Sequence, residues 1–203
     1  MTNTTDLHNF LRTRRSIRRF KPDPVPDSVI ENILSTATFA SSAHNRQPWR
    51  FAVVKDLSLK TKLADAMAIE FERDLNHDQL PQLEIQKRIT RSRERIITAP
   101  VVIILSVDMT DMDIYPDEKR NKAEYLMAVQ SVSNAGMQML LAAHAEGLGG
   151  VWVCSPLFVQ ETIQNVLDLP KAWEPQAMFL IGHPQSIPEA RERKSIKDIS
   201  IFI

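Results

Sequence analysis

Four stretches of the chain gather side chains able to bind or react. The first is Arg14, Arg15, Ser16, Ile17, Arg18, Arg19, Phe20, with four arginines and a serine in seven residues. A guanidinium presents forked donors that match phosphate oxygens in pairs, and a serine hydroxyl adds another donor. The segment reads equally as an anion site or as a solvated basic patch. The second, residues 41–49, holds Ser41, Ser42, His44, Asn45, Arg46 and Gln47 ahead of Pro48 and Trp49. Amides and hydroxyls at this density can read the edge of a planar heterocycle, whose donors and acceptors alternate; an ordinary capping loop has the same composition. The third runs from Gly147 to Pro156. Its glycines permit close backbone approach, and the strand after them delivers Cys154, Ser155 and Pro156. A tight helix-to-strand turn is the plainer use. The fourth is the tail, with Arg191, Arg193 and Lys194, either an anion clamp or a solvated end.

Other chemistries find no support. Gly147, Gly149 and Gly150 follow a helical stretch rather than linking strand to helix, so they make no dinucleotide fingerprint. No phosphate-binding loop of the NTPase type is present. His8, His44, His77, His144 and His183 are scattered without ligand spacing, and Cys154, the only cysteine, rules out an intrachain disulfide or a cysteine metal cluster. Cys154 is read as a packed side chain beside a buried strand. The formal net charge of zero argues against nucleic-acid and anionic-membrane partners. The longest apolar run, about residues 99–107, falls short of the roughly 18 residues that a membrane span needs. The first residues lack the basic flank and apolar run of a secretory leader. A cytoplasmic protein is expected.

These stretches must be positioned by the elements between them. The chain of 203 residues is 43% hydrophobic and 25% charged, which suits one domain over residues 1–203. A first helix capped by Asp6 is expected to present Leu7, Phe10 and Leu11. After the prolines at 22, 24 and 26, Ser28 and Glu31 form a candidate capping box for a helix with Val29, Ile30, Ile33, Leu34 and Ala37 on one side. Residues 51–54 read as a strand. Asp56 can cap a helix through Leu59, Leu63 and Met67. Residues 79–98 are helical with weak apolar periodicity, and the β-branched run 101–107 is a buried strand. Residues 111–122 read as a polar connection. A long helix then spans 124–146, apolar nearly all round and therefore covered on most sides, with Gly147 as its stop. Residues 151–153 and 177–181 are strands and 160–167 a helix. The tail is polar and ends in Ile199, Ile201 and Phe202. The order predicts an α+β domain, helices over a sheet of about four strands. One small sheet face cannot cover the long helix, so a second copy of the chain is expected to finish the job.

Taken in order, the four stretches resemble the nitroreductase-like flavoprotein family. The match has the form R-R-S-x-R-x-F, then S-x-x-N-x-Q-P-W, then E-G-L-G-x-x-W, then a basic pair near the end. The resemblance implies an intertwined α+β homodimer with FMN at the interface. It places Arg14, Arg15 and Ser16 on the flavin phosphate and ribityl chain, and Arg18 near the pyrimidine end of the ring. Ser42, Asn45 and Gln47 would come from the other subunit. Ser155 and Pro156 would bring backbone to the flavin N5, and Arg193 with Lys194 would add phosphate ligands. The sequence departs from the family in two places: Ser41 stands where proline is usual, and Cys154 with Ser155 where two glycines are common. Trp152, residues 166–170, Trp173, residues 181–184, Tyr115, Pro116, Asp117, Arg120 and Glu124 also resemble the nitroreductase-like module of deazaflavin-coenzyme glutamate ligases, without the ligase domain.

The implied chemistry needs no acid–base dyad, because a flavin takes and passes hydride itself while the protein orients and tunes it. The expected activity is transfer from a reduced nicotinamide, or a reduced deazaflavin, to a small acceptor such as a nitro compound or quinone. The alternatives are reduction of a deazaflavin precursor and a flavin- or deazaflavin-binding module without turnover. Trp152 and Trp173 are expected to be structural, and no metal is expected.

Overall fold

The computed structural model describes residues 3–203. Four strands form one antiparallel sheet: β1 (Trp49–Val54), β2 (Val101–Asp108), β3 (Gly149–Val153) and β4 (Trp173–Gly182), in the spatial order β1-β2-β4-β3. The two central strands are the β-branched and apolar runs, and every residue of β2 is buried. Alternation divides their side chains between two cores. Ile103, Leu105 and Phe179 face α2 (Asp27–Ala37) and α5 (Glu118–Ala145). Val102, Ile104, Met178 and Leu180 face α3 (Leu57–His77), α4 (Gln82–Thr98) and α6 (Gln160–Leu167). The α+β architecture is as expected, with helices on both faces.

The segment between α1 (Thr4–Thr13) and α2 extends the sheet at one corner. Ser16 pairs in parallel with Gly150, and Phe20 pairs antiparallel with Pro184. The Ile17 amide donates to the Gly150 carbonyl (3.0 Å), Lys21 to His183 (2.9 Å), and Gln185 to Arg19 (3.1 Å). The arginine segment is thereby laced to β3 and to the residues just after β4.

Several boundaries differ from expectation. Asn3, not Asp6, caps α1, accepting from the Thr5 amide at 3.1 Å; Asp6 lies in the first turn. No capping box forms at Ser28: α2 starts two residues earlier, at Asp27, with Pro26 at the cap and no side-chain cap bond. Asp56 caps α3 as expected, accepting from Leu59 at 2.7 Å. α5 starts at Glu118, inside the stretch read as a connection, because Asp117 accepts from the Arg120 amide at 2.9 Å. Its first turn is polar and carries no apolar period to read. Nor is α5 covered all round within one chain: Leu126 is 50% and Met137 43% exposed. That open stripe is the face for which cover by a second copy was expected. Gly147 ends α5 with φ +72°, the left-handed turn that favours glycine.

Candidate functional site

The arginine segment is fixed from behind. Ile17 is buried, and a side chain at Gly149 would meet the Ile17 Cβ at 2.6 Å, so only glycine lets this segment lie against β3. Two hollows result. The smaller, about 160 Å³, is lined by Arg14, Arg15, His144 and the backbone of residues 147–150. The larger, about 820 Å³, is lined by Ser16, Arg18, Arg19, Arg91, Arg95 and Gln185.

The smaller hollow is short of negative charge. The Arg14 Nε is buried and has no hydrogen-bond partner. Burial holds the Arg14 guanidinium below its ordinary pKa, and the charges of Arg15 and Arg193 push it further down. Arg193 thus reaches the neighbourhood of Arg14, while its own donors go only to the tail carbonyls of Arg191 (3.0 Å) and Glu192 (3.2 Å). Arg15 donates to the Arg12 and Arg14 carbonyls at 2.6 and 3.0 Å. Among the described residues, none of the three enters an ion pair. His144 adds a polar wall: its ring stacks on Phe10 with centroids 4.9 Å apart, and Nε2 lies 3.1 Å from Thr13 Oγ1. Burial keeps it below the usual histidine range, with Arg14 and Arg15 adding to the effect.

Ser155 and Pro156 open a short 3₁₀ turn (Ser155–Phe158) directly after β3. Pro156 is buried and Ser155 half-buried. Cys154 is exposed, contrary to its reading as a packed side chain, because β3 ends at Val153 and the next residue has left the sheet. Lys194 is exposed on the tail.

Ser42, Asn45 and Gln47 form a second group. The Gln47 amide donates to Ser42 Oγ (3.2 Å) and its side chain to Asn45 Oδ1 (3.3 Å). The loop is anchored on α5, where Ser131 Oγ accepts from the Ala43 amide (3.1 Å) and Asn134 donates to the Ser41 carbonyl (3.2 Å). Arg46 pairs with Asp113 at 2.6 Å. His44, Asn45 and Gln47 all take positive φ, 49°, 55° and 51°. Non-glycine residues held there carry strain, and such strain clusters at ligand clamps. None of these bonds reaches the arginine segment, so the candidate residues fall into two groups within one chain. Sequence reasoning did not find His144, Arg91 or Arg95. The signal for the last two was present: arginines four apart share a helix face.

The sequence pattern described as the nitroreductase family matches residues 11–183. The chain belongs to the nitroreductase family. The match spans the arginine segment, the 41–48 loop and the turn after β3, and stops before Arg193. Iodotyrosine deiodinase of Danio rerio is 28% identical over 205 residues, covering 97% of this chain and 67% of that protein. A Thermus thermophilus protein named NADH dehydrogenase is 28% identical, covering 84% of this chain and 83% of its own. In fold, the chain resembles a BluB-like flavoprotein from Clostridium difficile, with TM-score 0.79 at 22% identity over 97% of this chain and 98% of the other. This nitroreductase-family protein is an oxidoreductase. Its family generally uses flavin and typically forms dimers.

Proposed function

We propose that this oxidoreductase holds FMN and passes reducing equivalents from a reduced nicotinamide to a small organic acceptor such as a nitro compound or a quinone. The observation that carries the reading is the buried Arg14 Nε without a partner, in a hollow that Arg15 also lines, with the charges of Arg15 and Arg193 lowering the Arg14 pKa. Three guanidiniums repel one another unless an anion lies among them, and a phosphate dianion fits that donor set. When bound, the flavin supplies the hydride chemistry. The chain supplies the rest. Arg14, Arg15, Ser16 and Arg193 would bind the phosphate and ribityl hydroxyls, with Lys194 close along the tail. Arg18 would place positive charge where the ring gains negative charge on reduction. Ser155 and Pro156 would offer backbone beside the ring. Ser42, Asn45 and Gln47, already a hydrogen-bonded knot, would reach the site of a partner copy. A nicotinamide donor accords with the name of the Thermus thermophilus relative.

The test is titration of the flavin-free protein with FMN and riboflavin side by side. Each charge-assisted hydrogen bond contributes roughly 1.5–3 kcal/mol. Arg14→Gln or Arg193→Gln should therefore weaken FMN about 10- to 100-fold and leave riboflavin almost unchanged. Unaltered FMN affinity in both variants would overturn the assignment. A second reading, reduction of a deazaflavin precursor, rests on the pattern of Tyr115, Asp117, Trp152 and residues 166–170. Turnover of such a precursor at rates well above those with nitroaromatics would favour it.

A further inference from the structure

We propose that the larger cleft binds an oxyanion, a carboxylate or phosphate group, carried on a substrate with an apolar body. The proposal rests on the flavin reading for the position of the reaction, but not for the binding itself.

The charge around the cleft is strongly one-sided. Arg18 and Arg19 line it from the segment after α1, Arg91 and Arg95 from α4, and Glu94 is the one carboxylate lining it among the described residues. Four guanidiniums thus face one carboxylate in a chain whose formal net charge is zero. α4 does not leave its arginines unpaired in general. Arg88 is paired with Glu84 at 2.8 Å, and Arg93 with Asp65. The two that share the cleft face are in no ion pair among the described residues. The arrangement is costly to the fold: burial depresses the Arg95 pKa, and Arg91, Arg18 and Arg19 depress it further. An anion seated among them would relieve that repulsion. Gln185 and Ser186 add neutral donors at the rim.

A flavin alone does not balance this charge. The ring of an oxidised flavin is neutral and becomes anionic only on reduction, so the cleft would keep its excess in the resting protein. Beside it lies another hollow of about 330 Å³ that shares Arg91 and Arg95, is also lined by Arg88 and Ser92, and has an apolar wall of Phe71, Ile96, Val153, Met178 and Leu180. Guanidiniums at one end and an apolar floor at the other suit an aromatic or aliphatic body bearing one acidic group. The same oxyanion chemistry could sit on the acceptor, as a carboxylate, or on the donor, as the extra phosphate of a phosphorylated nicotinamide dinucleotide.

The experiment is equilibrium binding by calorimetry to the oxidised protein, flavin-loaded and flavin-free. The probes are 4-nitrobenzoate against methyl 4-nitrobenzoate, and NADP⁺ against NAD⁺. The charged member of at least one pair should bind about 10-fold or more tighter. Arg91→Gln and Arg95→Gln should remove most of that preference without weakening the neutral member. Arg95→Lys, which keeps the charge, should restore most of it. The pair that splits identifies the source of the anion. Equal affinities within both pairs, or an Arg95→Lys loss as large as that of Arg95→Gln, would overturn the proposal. Charge preference retained without flavin, in a protein that fails to bind FMN, would sink the flavin reading and leave the cleft standing.

Discussion

His144 is where the charge of the smaller hollow becomes measurable. Its folded pKa lies below the ordinary value of 6.5 because of burial and then the charges of Arg14 and Arg15. The unfolded chain therefore takes up a proton first as pH falls below about 6.5, and the folded state loses stability until its own His144 titrates. Above that range both states are neutral and the contribution is flat. His144→Gln should reduce the fall in melting temperature between about pH 7 and pH 5.5; identical slopes for wild type and variant would contradict this. Gln47 makes a complementary case. With φ 51° and no glycine to accept it, it is strained by the order of 1 kcal/mol. Gln47→Gly should keep or raise the thermal stability while weakening flavin binding, if its side chain reads the ring of a partner-bound FMN. A drop in stability with flavin affinity intact would place the residue in the fold alone. At this scale the sequence was partly legible. Arginines at 14, 15 and 193 suit an anion by type, but the same residues read equally well as a solvated basic patch and tail. His144 could not be read, because its surroundings exist only once α1 lies across the end of α5. Arg91 and Arg95 meet Arg18 and Arg19 only through the packing of α4 beside the sheet corner.

At the scale of elements, α5 and β3 depend on glycines for two different physical reasons. A Cβ at Gly136 would lie 2.5 Å from the Trp152 ring, 2.8 Å from Phe179 and 3.0 Å from Leu105. Gly136→Ala must push α5 off the sheet and should cost about 1–3 kcal/mol. At Gly147 there is open space but φ is +72°, so Gly147→Ala should cost about 1–2 kcal/mol through backbone strain alone. Chemical denaturation of the two variants checks both; a silent Gly136→Ala would mean that the helix–sheet contact is loose. The same contact bears on Trp152, whose ring meets Phe179 edge-on at 4.8 Å, the packing role expected for it. The central strands were legible over residues 101–107 and 177–181, where burial on both faces gives mostly apolar runs, while Glu174 and Gln176 hid the start of β4 at Trp173. Helix starts were legible at Asp56 and Gln160 but not for α1, α2 and α5, since several residues near a start can cap and the choice falls to backbone context such as Pro26.

At the scale of the molecule, apolar surface remains to be covered. Leu126 and Met137 open on α5, Leu7 and Leu11 on α1, and Ile199, Ile201 and Phe202 on the tail. Exposed apolar side chains of this kind mark a candidate interaction surface. Together with the two separated groups of candidate residues, it leads to the expectation that a second copy both covers the α5 stripe and completes the flavin site. Met137→Glu should then yield monomer or aggregate in sedimentation, with loss of bound flavin in proportion to lost dimer. A flavin-loaded, folded monomer would defeat that expectation. Among the described residues no helix is long and apolar enough to cross a membrane.

The lacing of residues 16–21 to residue 150 and to residues 183–185 has a kinetic consequence. These contacts join positions separated by most of the chain, and closing so large a loop is entropically slow. During synthesis the arginine segment leaves the ribosome early, while its strand partners arrive last. The corner that carries the arginine segment should therefore be the final part of the molecule to consolidate. In refolding followed by two probes, secondary structure should return before the proposed FMN binding does.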